Sequence, residues 1–146
     1  MRVCYFARSI RGSHTSGDKA YEQAIVEQIK AAGWMPALEL PGPVGGMSAS
    51  VSQDKYIYQR DLQWLNQSQA LIADVTNPSL GVGYEIAYAQ CVVDARILCV
   101  ARKDANVSAM IRGAFDVIEY RDTSDLNAII EAFLSETDEL LNEVEK

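Results

Sequence analysis

The chain alternates short apolar runs with longer segments of helical periodicity, and this alternation limits the possible folds more than any other feature. Five compact apolar runs predict strands at 3–7, 34–38, 71–75, 97–101 and 117–120. Segments with apolar residues three or four positions apart predict helices at 18–32, 51–67, 82–93 and about 123–144. Strands that alternate with helices are typical of an α/β fold with a parallel sheet.

Such a sheet is covered by helices on both faces, which gives a single three-layer domain over residues 1–146. Five strands favour the flavodoxin-like (Rossmann-like) order 2-1-3-4-5. In this class, ligands bind outside the carboxyl ends of the strands, near the switch point between strands one and three. The loops at 8–17 and 76–83 are therefore the expected location of a site.

The charge of the chain is unevenly distributed. The formal net charge is −7, and residues 121–146 carry eight acidic and two basic side chains, a net of −6. The negative charge thus belongs to the last predicted helix, while the rest of the chain is almost neutral. This balance excludes a nucleic-acid or anionic-membrane partner held by bulk attraction, but not one small anion.

Cysteine and histidine usage narrows the chemistry. Cys4, Cys91 and Cys99 lie in apolar runs without metal-ligand spacing, which predicts reduced core thiols and a cytoplasmic (or, in a eukaryote, nuclear) protein. With His14 as the one histidine, a zinc site or a histidine-based triad is not expected, and we predict no metal and no cofactor. No apolar segment approaches the roughly 20 residues that span a bilayer.

Two acidic residues do not fit a purely structural role. Asp61 shares a helix face with Ile57, Trp64 and Leu65, where a core residue is expected. It is either functional or a structural partner of an arginine. Glu85 lies in the first turn of a predicted helix, either as a functional carboxylate or as a favourable charge at the helix terminus.

Two loop segments at the predicted sheet edge combine small and polar residues. Gly81 and Gly83 would let the backbone approach a ligand next to a helix N-terminus. Ser9 to Ser13, directly after strand one, is either a phosphate-binding turn or a flexible polar turn. Residues 108–114 read in isolation as a short amphipathic turn.

Taken together, these segments resemble one family. The resemblance runs from about Val3 to Tyr120 and is carried by Tyr5-Phe6, Ser9-Ile10-Arg11-Gly12, Asp61-Leu62-x-Trp64-Leu65, Pro78 to Glu85, Arg96 to Cys99 and Ser108 to Ala114. In this order they look like the 2′-deoxynucleoside 5′-monophosphate N-glycosidases of the nucleoside 2-deoxyribosyltransferase superfamily. The resemblance implies hydrolysis of a deoxynucleoside monophosphate to a free base and 2-deoxyribose 5-phosphate.

The resemblance also implies roles for individual residues. Glu85 matches the nucleophile that forms a glycosyl-enzyme, Asp61 matches the second carboxylate, and Tyr5 matches the tyrosine that positions the nucleophile. The phosphate-binding positions are matched by Ser9, Ile10, Arg11, Gly12 and Ser79. Ser108 and Met110 match a segment that a neighbouring subunit supplies to the phosphate, which implies a homodimer.

The sequence departs from the family pattern at two places. Arg8 stands where the family usually has glycine, and its side chain either touches the phosphate or, as we favour, points to solvent. Leu38-Glu39 replaces the Glu-His pair that related enzymes often carry after strand two. Glu39 is therefore a candidate contact to the base. The sequence does not determine which base the nucleotide substrate carries, and 5-hydroxymethyl-dUMP and purine nucleotides are both among the candidates.

Three other functions remain as alternatives. A nucleoside 2-deoxyribosyltransferase would bind a 5′-hydroxyl, which the serines at positions 9, 79 and 108 argue against. A ribonucleotide N-hydrolase acting on CMP is disfavoured by Tyr5, because the family tyrosine opposes a 2′-hydroxyl. A nucleotide-sensing module without catalysis is disfavoured by the presence of Tyr5, Asp61 and Glu85 together.

Overall fold

The computed structural model describes residues 1–9, 16–46 and 51–146, and it contains a five-stranded, all-parallel sheet. The strands are β1 (Val3–Ala7), β2 (Met35–Pro36), β3 (Ala70–Asp74), β4 (Arg96–Arg102) and β5 (Ile118–Tyr120). Their order is β2-β1-β3-β4-β5, which confirms the predicted topology. The switch point therefore lies between β1 and β3, as the class requires.

Helices cover both faces of this sheet. They are α1 (Ser16–Ala31), α2 (Gln53–Asn66), α3 (Leu80–Tyr88), α4 (Ala109–Ala114) and α5 (Thr123–Val144). Along β3, Ala70 and Ile72 pack in a cluster with residues of α1 and α5, while Leu71 and Ala73 pack in a second cluster with residues of α2 and α3. The alternation of side chains along each strand thus supplies two cores, one on each face.

Strand β2 is shorter than predicted. Instead of a strand over 34–38, two residues pair with β1, and a 3₁₀ turn follows at Ala37–Glu39. Pro36 explains the difference, because proline has no N–H to donate and is confined to edge strands or strand ends. Leu38 is thereby turned out of the sheet and lies half exposed.

Capping side chains determine where two of the helices begin. Helix α3 begins at Leu80 and not at residue 82 as predicted, because Ser79 caps it by accepting a hydrogen bond from the Val82 N–H at 3.3 Å. It continues beyond Tyr88 as a π-helical turn, Ala89–Val93, that closes on a left-handed Asp94. Helix α5 has the predicted bounds, and Asp122 caps it, since the Asp122 carboxylate accepts from the Asp125 N–H at 2.8 Å.

The predicted thiol environment is correct at two positions and wrong at the third. Cys4 and Cys99 are buried in the two cores, but Cys91 is exposed on the π-helical turn. The apolar run at this position is therefore not a buried one, because Cys91 and its neighbour Val92 both lie exposed on the turn. Within residues 1–9, 16–46 and 51–146, no helix is long and apolar enough to cross a membrane.

Candidate active site

A cavity of about 640 Å³ opens at the carboxyl end of β1, between α1 and α2. The three predicted catalytic residues line it: Tyr5 of β1, Asp61 of α2 and Glu85 of α3. Phe6, Leu38 and Trp64 add apolar wall, so the cavity combines carboxylates with surfaces that a planar base or a sugar can contact. The fold brings these residues together from three different elements at the predicted sheet edge.

Glu85 is held in an environment that favours its neutral form. Burial raises the pKa of its carboxyl to about 7, and the nearby Asp61 charge acts in the same direction. The Tyr5 hydroxyl donates a hydrogen bond to the carboxylate, and this bond and the Arg60 charge lower the pKa. Burial also raises the pKa of Tyr5 far above its usual value, with the Glu85 charge adding to the effect, so Tyr5 stays a neutral donor.

The start of α3 places Glu85 beside the capping serine. A Cβ at Gly81 would lie 3.9 Å from the Ser79 Oγ and 4.0 Å from the Glu85 Oε1. Gly81 therefore lies one ordinary contact distance from both groups, one helical turn before the carboxylate. Because α3 begins at Leu80, Glu85 lies in its second turn and not in the first turn as predicted, and the Gly81 position lies near both the Ser79 hydroxyl and the Glu85 carboxylate.

Asp61 is both a cavity residue and a partner of an arginine, so the two interpretations of this residue hold together. Its Oδ1 accepts from the Arg60 Nε at 2.9 Å and lies 2.8 Å from the Arg60 Nη2. The Arg60 guanidinium lies over the Trp64 ring, 4.6 Å from its centroid. Arg60 also lines the cavity, and the sequence analysis did not identify it.

The predicted phosphate-binding turn is described in part. Ser9 is buried and lines the cavity. Ile10, Arg11 and Gly12 lie outside the described residues. The prediction that the Arg8 side chain points to solvent holds in part, because this side chain is half exposed but also lines the cavity. Its Nη1 donates a hydrogen bond to the Glu22 carboxylate at 2.9 Å.

One face of α1 contributes cavity residues that the sequence analysis missed. Lys19, Glu22, Gln23 and Val26 all line the cavity. Their spacing of three, four and seven positions puts them on one helix face. This spacing, on the helix that follows the predicted phosphate loop, is the signal that would have identified them.

The remaining predicted positions lie elsewhere. Ser79, Ser108 and Met110 line a second cavity of about 580 Å³ between α3 and α4, with no part of it lined by Glu85. Glu39 does not line the first cavity, although its neighbour Leu38 does; its carboxylate pairs with Lys30 instead. Across the part of the chain that the structure describes, no three His, Cys, Asp or Glu side chains are grouped to hold a metal ion.

The sequence matches the family model described as nucleoside 2-deoxyribosyltransferase over residues 4–133, and the chain belongs to this family. A 5-hydroxymethyl-dUMP N-hydrolase of Danio rerio is 36% identical over 137 residues, covering 88% of this chain and 94% of that protein. The Homo sapiens protein of the same name is 40% identical over 119 residues, 77% of this chain and 65% of that protein. The family and these relatives identify an enzyme of the N-glycosidase class.

Solved structures show the same fold. The structure of a Clostridium botulinum CMP N-glycosidase superposes with a TM-score of 0.65 at 17% identity, covering 90% of this chain and 99% of that one. The solution structure of BlsM gives a TM-score of 0.69 at 15% identity, with 97% and 94% covered. At these identities the likeness concerns the architecture, and the chemistry has to be argued from the site.

Proposed function

We propose that this protein hydrolyses the N-glycosidic bond of 2′-deoxynucleoside 5′-monophosphates, releasing a free base and 2-deoxyribose 5-phosphate. The observation that carries the proposal is the group of Tyr5, Asp61 and Glu85 in one cavity at the switch point of the sheet. The Tyr5 hydroxyl orients the Glu85 carboxylate, and a second carboxylate stands close enough to raise its pKa. Two carboxyl groups with different environments are the usual apparatus of glycoside hydrolysis.

The chemistry divides into two steps. In the first, Glu85 attacks the anomeric carbon, the C–N bond breaks, and its electron pair leaves with the base, which takes a proton from water. The carboxylate stabilises the oxocarbenium-like transition state, which forms readily in deoxyribose because no 2′-hydroxyl withdraws electrons from it. In the second, Asp61 accepts a proton from water as that water displaces Glu85 from the sugar carbon.

The 5′-phosphate supplies binding energy away from the reacting bond. Ser9 in the first cavity and Ser79 at the cap of α3 offer hydroxyl donors, and the first N–H groups of α3 add to them. In the proposed mode Ile10, Arg11 and Gly12 complete the phosphate turn, with Gly81 allowing close approach to the helix. Such remote contacts fix the sugar in attack geometry.

A homodimer completes the proposed site. Ser108 and Met110 do not line the cavity that holds Glu85, yet they border Ser79 across the second cavity. Leu80 and Met110 are 97% and 81% exposed, which is unusual for large apolar side chains next to a site. We propose that a second copy of the chain packs here and that each subunit supplies Ser108 and Met110 to the phosphate of the other.

Base release from a panel of nucleotides tests the function. The panel contains the common deoxynucleoside monophosphates, 5-hydroxymethyl-dUMP, CMP and the matching deoxynucleosides. 5-Hydroxymethyl-dUMP is included because the Danio rerio and Homo sapiens relatives are named as its N-hydrolases. We expect chromatography to show base release from at least one deoxynucleoside monophosphate by the wild-type protein, and none by Glu85→Gln.

The other outcomes identify the competing functions. Transfer of deoxyribose from a nucleoside to a second base would indicate a deoxyribosyltransferase. Preferred cleavage of CMP would indicate a ribonucleotide hydrolase. Tight nucleotide binding without base release between pH 5 and 9 would contradict the enzyme and favour a sensing module.

A further inference from the structure

Arg60 occupies a place in the cavity for which neither the proposed chemistry nor the family resemblance has a use. Its Nε donates a hydrogen bond to the Asp61 Oδ1 at 2.9 Å, and its Nη2 forms an ion-pair contact with the same oxygen at 2.8 Å. A planar guanidinium that contacts one carboxylate oxygen through two nitrogens holds that oxygen in place and thereby restrains the orientation of the carboxylate. Both contacts are to the Asp61 Oδ1, so the Asp61 Oδ2 is the oxygen left to contact a substrate or a water molecule.

The guanidinium is itself held in place by an aromatic contact. It lies over the Trp64 ring at 4.6 Å from the centroid, and the Trp64 indole N–H donates to the Pro41 carbonyl at 3.1 Å. The arginine stem passes close to Gly42, where a Cβ would lie 3.9 Å from the Arg60 Cγ and 2.8 Å from the Tyr56 hydroxyl. A continuous set of contacts thus runs from the 41–42 backbone through the indole and the guanidinium to Asp61.

Charge is the second reason to assign Arg60 a role. Asp61 and Glu85 are carboxyl groups in one cavity, and like charges at close range oppose each other's ionisation. Arg60 is bonded to Asp61, and its charge also acts on Glu85. The Arg60 side chain is 28% exposed and that of Asp61 is 17% exposed, which limits screening by water.

The groups that face Glu85 come from two elements. They are Tyr5 of β1, whose hydroxyl bonds it, and Arg60 and Asp61 of α2. Among the described residues, the other charged side chains that line the cavity are Arg8, Lys19 and Glu22, and Arg8 is paired with Glu22. Of the described charged groups that influence Glu85, Arg60 is therefore the cation that can offset Asp61.

We propose that Arg60 is a positioning residue, which fixes the Asp61 carboxylate in one orientation and offsets its charge so that Glu85 can ionise beside it. The role rests on the proposed hydrolase function, since it serves Glu85 as nucleophile and Asp61 as proton acceptor. Arg60 needs no contact with the substrate for this role, and it acts through the two carboxylates.

Two substitutions separate the two parts of this role. Arg60→Met keeps an apolar side chain over Trp64 but removes the charge and both nitrogen contacts to the Asp61 Oδ1. Arg60→Lys keeps the charge on a single ammonium nitrogen, which cannot make both contacts. Arg96→Met is the matched control, because Arg96 also pairs with a carboxylate, Glu136, and lies over an aromatic ring, Phe133, but on the outside of β4 and α5.

The first measurement is the titration of the Glu85 carboxyl by NMR without substrate, which reports on Arg60 whether or not any nucleotide is cleaved. We expect the midpoint near pH 7 in wild type and Arg96→Met, and higher by about one pH unit in Arg60→Met, because an opposing cation is lost. Arg60→Lys should stay near the wild-type midpoint. An unchanged midpoint in Arg60→Met overturns the proposal.

The second measurement is the pH dependence of kcat/KM on the best substrate. Arg60→Met should lower kcat about 10- to 100-fold and shift the low-pH limb of the kcat/KM profile to higher pH. Arg60→Lys should keep this limb at the wild-type pH but should not recover the wild-type kcat. A partly unfolded variant would have a smaller folded fraction but the same Glu85 midpoint in the folded protein, so a limb that moves together with the NMR midpoint excludes a merely structural effect. Wild-type kcat in Arg60→Met would contradict the positioning role, while a wild-type protein that cleaves nothing would contradict the function instead.

Discussion

At the scale of single residues, Glu85 sets a conflict between stability and chemistry. The proposed role of Glu85 as nucleophile requires its ionised form, yet burial and the Asp61 charge raise the pKa of this carboxyl to about 7 from its ordinary 4.5. Between these two pH values the folded state binds a proton that the unfolded state has released. The free energy of unfolding should therefore fall as the pH rises through this interval, and the contribution is lost above about pH 7.

Glu85→Gln removes this titration while keeping a carbonyl oxygen for the Tyr5 hydroxyl. We expect the variant to be more stable than wild type at pH 8 by about 1–3 kcal/mol, reduced toward the lower value by the partial exposure of the side chain. That corresponds to a rise of roughly 5 °C in Tm. Thermal unfolding at pH 8 and at pH 4.5 measures the difference, which should largely disappear at the lower pH. Equal Tm values for the wild type and Glu85→Gln at pH 8 would contradict the claim that ionised Glu85 destabilises the fold.

At the scale of elements, the start of α3 joins helix capping to proposed phosphate binding. The Ser79 Oγ accepts from the Val82 N–H at 3.3 Å, so the same hydroxyl both stabilises the helix and faces the region of Glu85. Ser79→Ala should cost about 1 kcal/mol in the free energy of unfolding. It should also raise KM about tenfold for a deoxynucleoside monophosphate through the lost contact to a charged group, with little effect on a deoxynucleoside.

Asp122→Ala provides the control for this substitution. Asp122 caps α5 by accepting from the Asp125 N–H at 2.8 Å, beyond the opposite edge strand β5. Asp122→Ala should lower the free energy of unfolding, measured with denaturant, by about as much as Ser79→Ala does, but it should leave KM unchanged for every substrate. If both variants change KM equally, Ser79 acts on substrate binding only through the fold.

Much of the architecture follows from patterns that lie within single elements. The buried strands β1, β3 and β4 are continuous apolar runs, and the sheet order follows from their alternation with helices. The errors arise where one residue changes the local geometry. Pro36 ends β2 early, and the π-helical turn after Tyr88 turns Cys91 outward.

The site was predictable to the extent that its residues have fixed directions along an element. Tyr5, Asp61 and Glu85 lie in one cavity because each faces the carboxyl edge of the sheet from its own strand or helix. Arg60 was not predictable in this way, because neighbours in a helix do not face each other. Its long side chain reaches Asp61 only by lying on the Trp64 ring, a tertiary contact that helical spacing does not encode.

At the scale of the whole molecule, the negative charge and the proposed subunit contact lie on opposite faces. Helix α5 packs with α1 on one face of the sheet, and its cap, its termini and its acidic side chains belong to that side. The second cavity lies between α3 and α4, and α3 packs on the other face. Two copies meeting at α3 and α4 would therefore keep their acidic helices apart, which avoids repulsion between like charges.

Met110→Lys tests the proposed dimer at an exposed apolar side chain close to Ser108. Met110 is 81% exposed, so lysine is tolerated in a single subunit but places a charge in an apolar contact between subunits. We expect sedimentation to show a dimer for wild type and mostly monomer for the variant, with kcat/KM for a monophosphate lowered at least about tenfold through the lost contacts to its charge. Val144→Lys, at 84% exposure on α5, should change neither property. A wild-type protein that is fully active as a monomer would show that each subunit completes its own phosphate site.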